Sequence, residues 1–229
     1  MKRRSLFVVL ALLVSINALN VPVRADIQQI ISETQRVEQS DGGFRLIWWI
    51  PTDYWRESFK KSALTQAQSD GICKPLDDYI IFLVDDVKIG PIGGVMPLSR
   101  DEVMAKLSAQ IVPGEDMKPL DPTQLSPDVK NFLDMMKPAL TNMLGQFGSG
   151  VEFACFSAKA ASGARLIDPR KEGMLQLNYG DIVYKFRLPL GSLLPPKYDP
   201  QTGEMFLGNY IYSPFTGIKL IDVPPSKKS

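Results

Sequence analysis

The stretch Tyr79-Ile80-Ile81-Phe82-Leu83-Val84 decides the fold. Its β-branched and aromatic residues suit a pleated strand. A strand sends alternate side chains to opposite faces, so an unbroken apolar run needs cover on both. This run is therefore expected in the centre of a sheet. Asp85-Asp86 and the glycine-rich segment 89–94 (IGPIGG) follow, reading as the strand end and a loop.

Working outward, residues 26–40 read as a short polar helix or a loose arm, broken by Gly42-Gly43. Residues 44–50 alternate: Phe44, Leu46, Trp48 and Ile50 face one way, Arg45, Ile47 and Trp49 the other. Pro51 ends that strand, and Thr52 or Asp53 is placed to cap a helix with the stripe Trp55, Phe59, Ala63, Ala67, closed by Gly71. Downstream, Ser99-Arg100-Asp101-Glu102 is a capping box, with Leu98 and Val103 as its hydrophobic staple, opening a helix expected to reach about residue 111. Residues 113–127 form a proline-punctuated linker. Ser126-Pro127 starts a longer helix whose apolar positions, Val129, Phe132, Leu133, Met136, Leu140, Met143 and Leu144, keep the helical period. Pro138 is expected to kink it, and Gly145 and Gly148 to end it. Residues 151–156, 173–177 and 182–188 read as strands, the last two joined in a hairpin through Asn178-Tyr179-Gly180-Asp181. This order predicts an α/β or α+β fold: a mixed sheet with about three helices packed on it, plus a small C-terminal β-hairpin module.

The N-terminus carries an address. Lys2, Arg3 and Arg4 precede an apolar run at 6–16 (LFVVLALLVSI), and Val23 and Ala25 stand before Asp26. These are the three regions of a secretory signal peptide, expected at 1–25, and the run is shorter than the roughly 20 residues that span a bilayer. The expected mature chain divides into an α/β domain at 26–190, the hairpin module at 191–222 and a disordered tail at 223–229. It is expected in the periplasm or the secreted space, without stable membrane insertion. Four of the 26 Lys and Arg and none of the 25 Asp and Glu lie in the leader, so the mature net charge is −3. Nothing in that balance favours nucleic acid as a partner.

Histidine is absent from all 229 residues. Serine–histidine and cysteine–histidine catalysis need an imidazole that accepts and returns a proton near neutral pH, and the usual catalytic zinc sites need it as a ligand. Those classes are excluded in their usual form. Cys73 and Cys155 are the two cysteines. In an oxidising compartment they form a disulfide or, alternatively, Cys155 in its apolar setting VEFACF is a buried thiol.

Three sets of residues are candidates for chemistry or binding. Asp85 and Asp86, beside a glycine loop, would serve as acid and base in a glycosidase-like reaction if Asp77, Asp78 or Glu102 stood opposite; the plainer reading is a solvated turn. Trp48, Trp49 and Trp55 would stack on sugars or on a partner if exposed, although alternation commits at least one to the core. Ser157 and Lys159 share a strand face, as in a serine–lysine dyad, a spacing that chance often supplies. No nucleotide fingerprint is present.

Late in the chain, Asp199-Pro200-Gln201-Thr202-Gly203 and Ser213-Pro214-Phe215-Thr216-Gly217 repeat the form x-P-x-T-G. This pair of turns resembles the knuckles of a zinc ribbon, which read C-P-x-C-G. The resemblance covers about 25 residues and only the turn skeleton. It implies a ribbon-like hairpin with Asp199, Thr202, Ser213 and Thr216 at the ligand positions. Zinc favours thiolate and imidazole over hydroxyl, so these positions are expected to be metal-free, and no cofactor is expected. Phe206, Tyr210, Tyr212 and Phe215 would pack the hairpin, and the connector at 189–196 (PLGSLLPP) would dock it on the main domain. The leading functional expectation is an exported, non-catalytic binding or assembly protein whose partner is another protein. The alternatives are a carboxylate-dependent, glycan-active hydrolase and a carbohydrate-binding module.

Overall fold

The computed structural model describes residues 27–40, 42–92 and 94–225. The expected signal peptide and the last four residues of the tail lie outside them. In chain order the elements are α1 (Ile27–Thr34), β1 (Gln35–Ser40), β2 (Gly43–Trp49), α2 (Thr52–Phe59), α3 (Gln66–Leu76), β3 (Tyr79–Ile89), β4 (Val95–Pro97), α4 (Arg100–Ala105), β5 (Leu107–Val112), β6 (Asp116–Met117), α5 (Pro127–Leu144), β7 (Glu152–Ser157), β8 (Gly173–Tyr179), β9 (Ile182–Leu188), β10 (Lys197–Tyr198) and β11 (Met205–Phe206).

β3 is the centre of the molecule. Along one edge it pairs with β2, which pairs in turn with β1; along the other it pairs first with β7 and then with β4. A second sheet runs in the order β6-β5-β8-β9. The two sheets pack face to face. Ile47, Trp49, Ile80, Phe82, Val84, Ala154 and Phe156 of the first meet Leu107, Ala109, Leu175, Leu177, Tyr184 and Phe186 of the second. The other face of the first sheet, with Leu46, Trp48, Ile50, Ile81, Leu83 and Phe153, lies under α2, α3 and α5 through Trp55, Leu76, Val129, Phe132, Leu133 and Leu140. The continuous apolar run of β3 is thus explained by three layers, with helices on one face and a sheet on the other. The α/β class with helices packed on a sheet stands. Every described strand pair is antiparallel.

Local signals misled in a few places. Residues 107–112 form β5, and the capping box of Ser99 with Glu102, which is present, opens only the six-residue α4. Val103, Leu107 and Ile111 are four apart, which is a helical repeat but also an even number, and so equally the spacing of one strand face. Pairing with β8 decided for the strand. The single helix expected after Pro51 is two: Pro51 gives α2 no side-chain cap, while Thr65 and Gln68 form a capping box on α3, and Gly71 lies inside α3. The arm at 26–40 is α1 followed by β1. α5 runs through Pro138 as one helix. Among the described residues no helix is long and apolar enough to cross a membrane.

The C-terminal segment is tied down at its connector. The Glu33 carboxylate of α1 accepts hydrogen bonds from the backbone N–H groups of Gly191 (2.7 Å) and Ser192 (2.9 Å). Leu190 is buried in the inter-sheet core. Asn209 donates back to the Pro189 carbonyl at 3.3 Å.

Candidate functional site

Asp85 and Asp86 lie inside β3, not at its end, because the strand continues to Ile89. Alternation therefore sends them to opposite faces. Asp86 points toward the second sheet, where the Tyr179 hydroxyl donates to it at 2.6 Å, Arg45 at 3.4 Å, and the Lys106 ammonium stands 3.9 Å away. The Arg45 guanidinium also bonds Glu38 at 3.1 Å. It lies 4.8 Å from the centre of the Tyr179 ring, with the Lys106 ammonium at 5.2 Å, two cation–π contacts on one phenol. Burial, together with the hydrogen bond to Asp86, pushes the Tyr179 phenol above its ordinary range, so it acts as a donor. A cleft of about 290 Å³ opens over this group, lined among others by Glu38, Phe44, Arg45, Asp86, Lys88 and Lys106. Both signs of charge line it, and Asp86 is already engaged by several donors.

Asp85 points the other way, into the helical side. It is fully buried and neither carboxylate oxygen has a hydrogen-bond partner. Burial, then the negative charge of Asp86, pushes its carboxyl up to about 7.

The acids expected to face this pair are committed elsewhere. Asp77 is held by Arg56 at 2.5 Å and Arg165 at 3.4 Å, and Asp78 by Lys159 at 2.5 Å. At about 3.3 Å per strand residue, Asp78 lies roughly 23 Å along the chain from Asp85, beyond the ~9.5 Å that paired glycosidase carboxyls reach. Glu102 is turned back onto the Ser99 backbone N–H and hydroxyl. Ser157 donates to the Lys159 carbonyl at 2.7 Å while the Lys159 ammonium goes to Asp78, so the serine–lysine pair is not assembled.

The tryptophans are core residues. Trp48, Trp49 and Trp55 are 1%, 2% and 3% exposed. Trp48 donates to the Thr34 hydroxyl at 3.2 Å and meets Tyr54 edge-on; Trp49 meets Phe186 of the second sheet; Trp55 meets Phe132 of α5. Buried to that degree, these rings present no free face on which a sugar could stack. Cys73 on α3 and Cys155 on β7 are buried free thiols in the helix-side core. Burial raises both thiols, Cys155 to about 12, which leaves them protonated and inert.

A further polar constellation is C-terminal. Asp199 Oδ1 accepts from the N–H groups of Gln201 (2.8 Å) and Thr202 (3.1 Å), and Ser213 Oγ accepts from those of Phe215 (3.4 Å) and Thr216 (3.2 Å). The N–H groups of Gly203 and Gly217 each close a turn on the carbonyls of Asp199 and Ser213, both at 2.9 Å. Both glycines have positive φ, +73° and +70°. The Asp199 and Ser213 N–H groups donate to the Glu204 and Ile218 carbonyls. The two turns therefore repeat one hydrogen-bond pattern, and the Thr216 hydroxyl joins them by donating to Asp199 Oδ2 at 2.6 Å. That bond, with the backbone N–H donors, holds the Asp199 carboxyl down at about 2. Among the described residues no group of three or more acids and cysteines is placed to hold a metal ion.

Around these turns several large apolar side chains are exposed. Phe215 is 76%, Tyr212 58%, Met205 58% and Ile211 57% accessible, with Tyr210 beside them. Phe206 links the rings, 6.0 Å from Tyr210 and 6.1 Å from Phe215. Sequence reasoning assigned these aromatics to packing; the turn repeat was the signal that marked the segment. Of the Glu38–Arg45–Asp86–Tyr179–Lys106 group only Asp86 was singled out from the sequence, because its partners Arg45 and Tyr179 lie 41 and 93 residues away in the chain. Comparison with known proteins gives no match to a family model, a curated protein or a solved structure.

Proposed function

We propose that this chain is an exported, non-catalytic protein that binds another protein in the cell envelope or secreted space, using its C-terminal module as the docking element. The single observation that carries this is the exposure of Tyr210, Ile211, Tyr212 and Phe215 on a segment whose two turns are tied by hydrogen bonds to Asp199, Ser213 and Thr216. A rigid, pre-ordered aromatic surface loses little entropy on binding, and aromatic side chains dominate protein–protein hot spots. Further support comes from the leader-like residues 1–25 and from the turn repeat, which we read as a metal-free ribbon-like hairpin.

The competing readings have less behind them. A carboxylate hydrolase needs two acids across a cleft, whereas Asp85 and Asp86 face apart and Asp86 is held by Tyr179 and Arg45. The sugar-binding reading drew on tryptophans that are buried.

The test is a crosslinking pull-down of the mature protein from its native envelope or secreted fraction, compared with a Phe215→Ser/Ile211→Ser variant. One saturable partner captured by the native protein and lost with the variant supports the proposal. Equal capture by both, or none by either, refutes docking through this face. Sequencing the N-terminus of the exported protein, expected at Asp26, tests export separately.

A further inference from the structure

On β3 of the first sheet, Asp85 is completely enclosed and neither of its carboxyl oxygens has a hydrogen-bond partner. What encloses it is a glycine-rich 3-10 segment, Gly145–Gly150, packed against β3. A Cβ placed on Gly150 would stand 2.5 Å from Asp85 Oδ1, so the segment lies on the carboxyl only because residue 150 has no side chain. Gly150 is buried over Asp85 and Gly148 is buried against the Thr141 backbone of α5, whereas Gly145, Gln146 and Ser149 are exposed. Gly145, at φ +60°, makes the bend where α5 ends, and Phe147 anchors the segment by packing on Phe44, ring centres 5.1 Å apart. Residue 150 thus covers the buried acid with backbone alone beside the exposed Ser149, and the conformationally permissive Gly145 stands where the segment leaves α5.

We propose that Gly145–Gly150 is a proton-controlled flap, closed over Asp85 while that carboxyl is protonated and opened to admit water when it ionises.

The surroundings offer the anion no other relief. From β2, Leu46 stands opposite Asp85 in register, and Arg45 lies on the other face with Asp86. Val95-Met96-Pro97 of β4 and the flap itself carry no charged residue. Glu152 at the start of β7 is taken by Arg100 (2.8 Å) and by Lys137 of α5 (2.7 Å). Asp86 adds a like charge from the neighbouring position. A buried carboxylate with no cation or donor is stable only when neutral, and once ionised it regains solvation by reaching water. The shortest path runs through the glycine segment, whose displacement also separates Phe147 from Phe44. The protein would therefore be tightest in mild acid and would loosen at this one corner above neutrality.

The experiment is amide hydrogen exchange of the mature protein at about pH 5.5 and about pH 8.5, with intrinsic rates corrected, on the native chain and Asp85→Asn. In the native chain, protection across 146–151 is expected to fall by roughly tenfold or more at the higher pH, while β8 and β9 hold theirs. In Asp85→Asn the segment is expected to show the same protection at both. The same loss in the variant as in the native chain overturns the proposal. Should the variant fail to fold, carboxyl-carbon NMR titration of the native chain decides. A midpoint near 7 with the Gly148 and Gly150 amides moving in step supports the flap; an ordinary carboxylate midpoint, or silent glycines, overturns it. This result is independent of the docking proposal, since neither Phe215 nor Ile211 takes part.

Discussion

The Thr216 hydroxyl donates to the Asp199 carboxylate at 2.6 Å, and this bond joins two turns with matching backbone patterns. Asp199 collects two further N–H donors from its own turn, while Ser213 does the same in the second. One carboxylate therefore caps the first turn and ties it to the second by accepting hydrogen bonds.

Replacing Asp199 with Ala removes the acceptor at that junction. The expected outcome is faster amide exchange and proteolysis across 199–221, with the main sheets unaffected, read by peptide-resolved exchange. Because the folded carboxyl is held at about 2, below its unfolded value of ~3.9, its contribution is present above about pH 4 and is lost as pH falls toward 2. Acid titration of the native module should show that loss, and Asp199→Ala should not.

The ribbon-like reading makes a sharper claim. If positions 199, 202, 213 and 216 converge as ligand positions, the fourfold variant Asp199→Cys/Thr202→Cys/Ser213→Cys/Thr216→Cys gains a tetrahedral thiolate set. It should bind cobalt with the visible absorption of a tetrahedral thiolate complex and release it to zinc. A variant that stays colourless while folded, judged by its circular dichroism, would count against convergence.

Asp85 sets a pH dependence of opposite sign. Its folded value of about 7 lies above the ordinary carboxylate value. The folded state therefore holds the proton more tightly, and stability falls as pH rises from about 4, levelling off above about 7. The total is on the order of a few kcal/mol. Asp85→Asn should give a flatter profile of urea midpoint against pH over that window; parallel profiles would remove Asp85 as the cause.

Tyr179→Phe deletes the 2.6 Å bond to the nearly buried Asp86 and leaves the Arg45 and Lys106 contacts. The expected cost is about 1–3 kcal/mol, because a charged acceptor loses a donor while enclosed. Chemical denaturation checks this, and an unchanged midpoint would mean that water replaces the hydroxyl.

Much of this architecture was legible along the chain. The two-faced run of β3, the alternation of β2, the capping box on Ser99, the Ser126-Pro127 helix start and the β8–β9 hairpin each depend on near neighbours. β5 was misread because a spacing of four satisfies both periods, and only the facing edge of β8 separates them. Asp85 and Asp86 read as a solvated turn because nothing local reveals that β4 and β7 extend the sheet around them. Trp48 and Trp49 had to face opposite ways, but whether either face was open depended on layers formed by chain-distant residues such as Phe186 and Phe132.

The sequence by itself determined the class of element at most positions, the absence of imidazole chemistry and the x-P-x-T-G repeat, since all of these rest on composition and on contacts within a few residues. Tertiary structure alone decided which acids meet which cations, that Asp85 is sealed and Asp86 is bonded, and that Asp199 and Thr216 touch. Side-chain burial and pairing depend on which surfaces the folded layers bring together, and chain-distant contacts leave no periodic trace in the residues that make them.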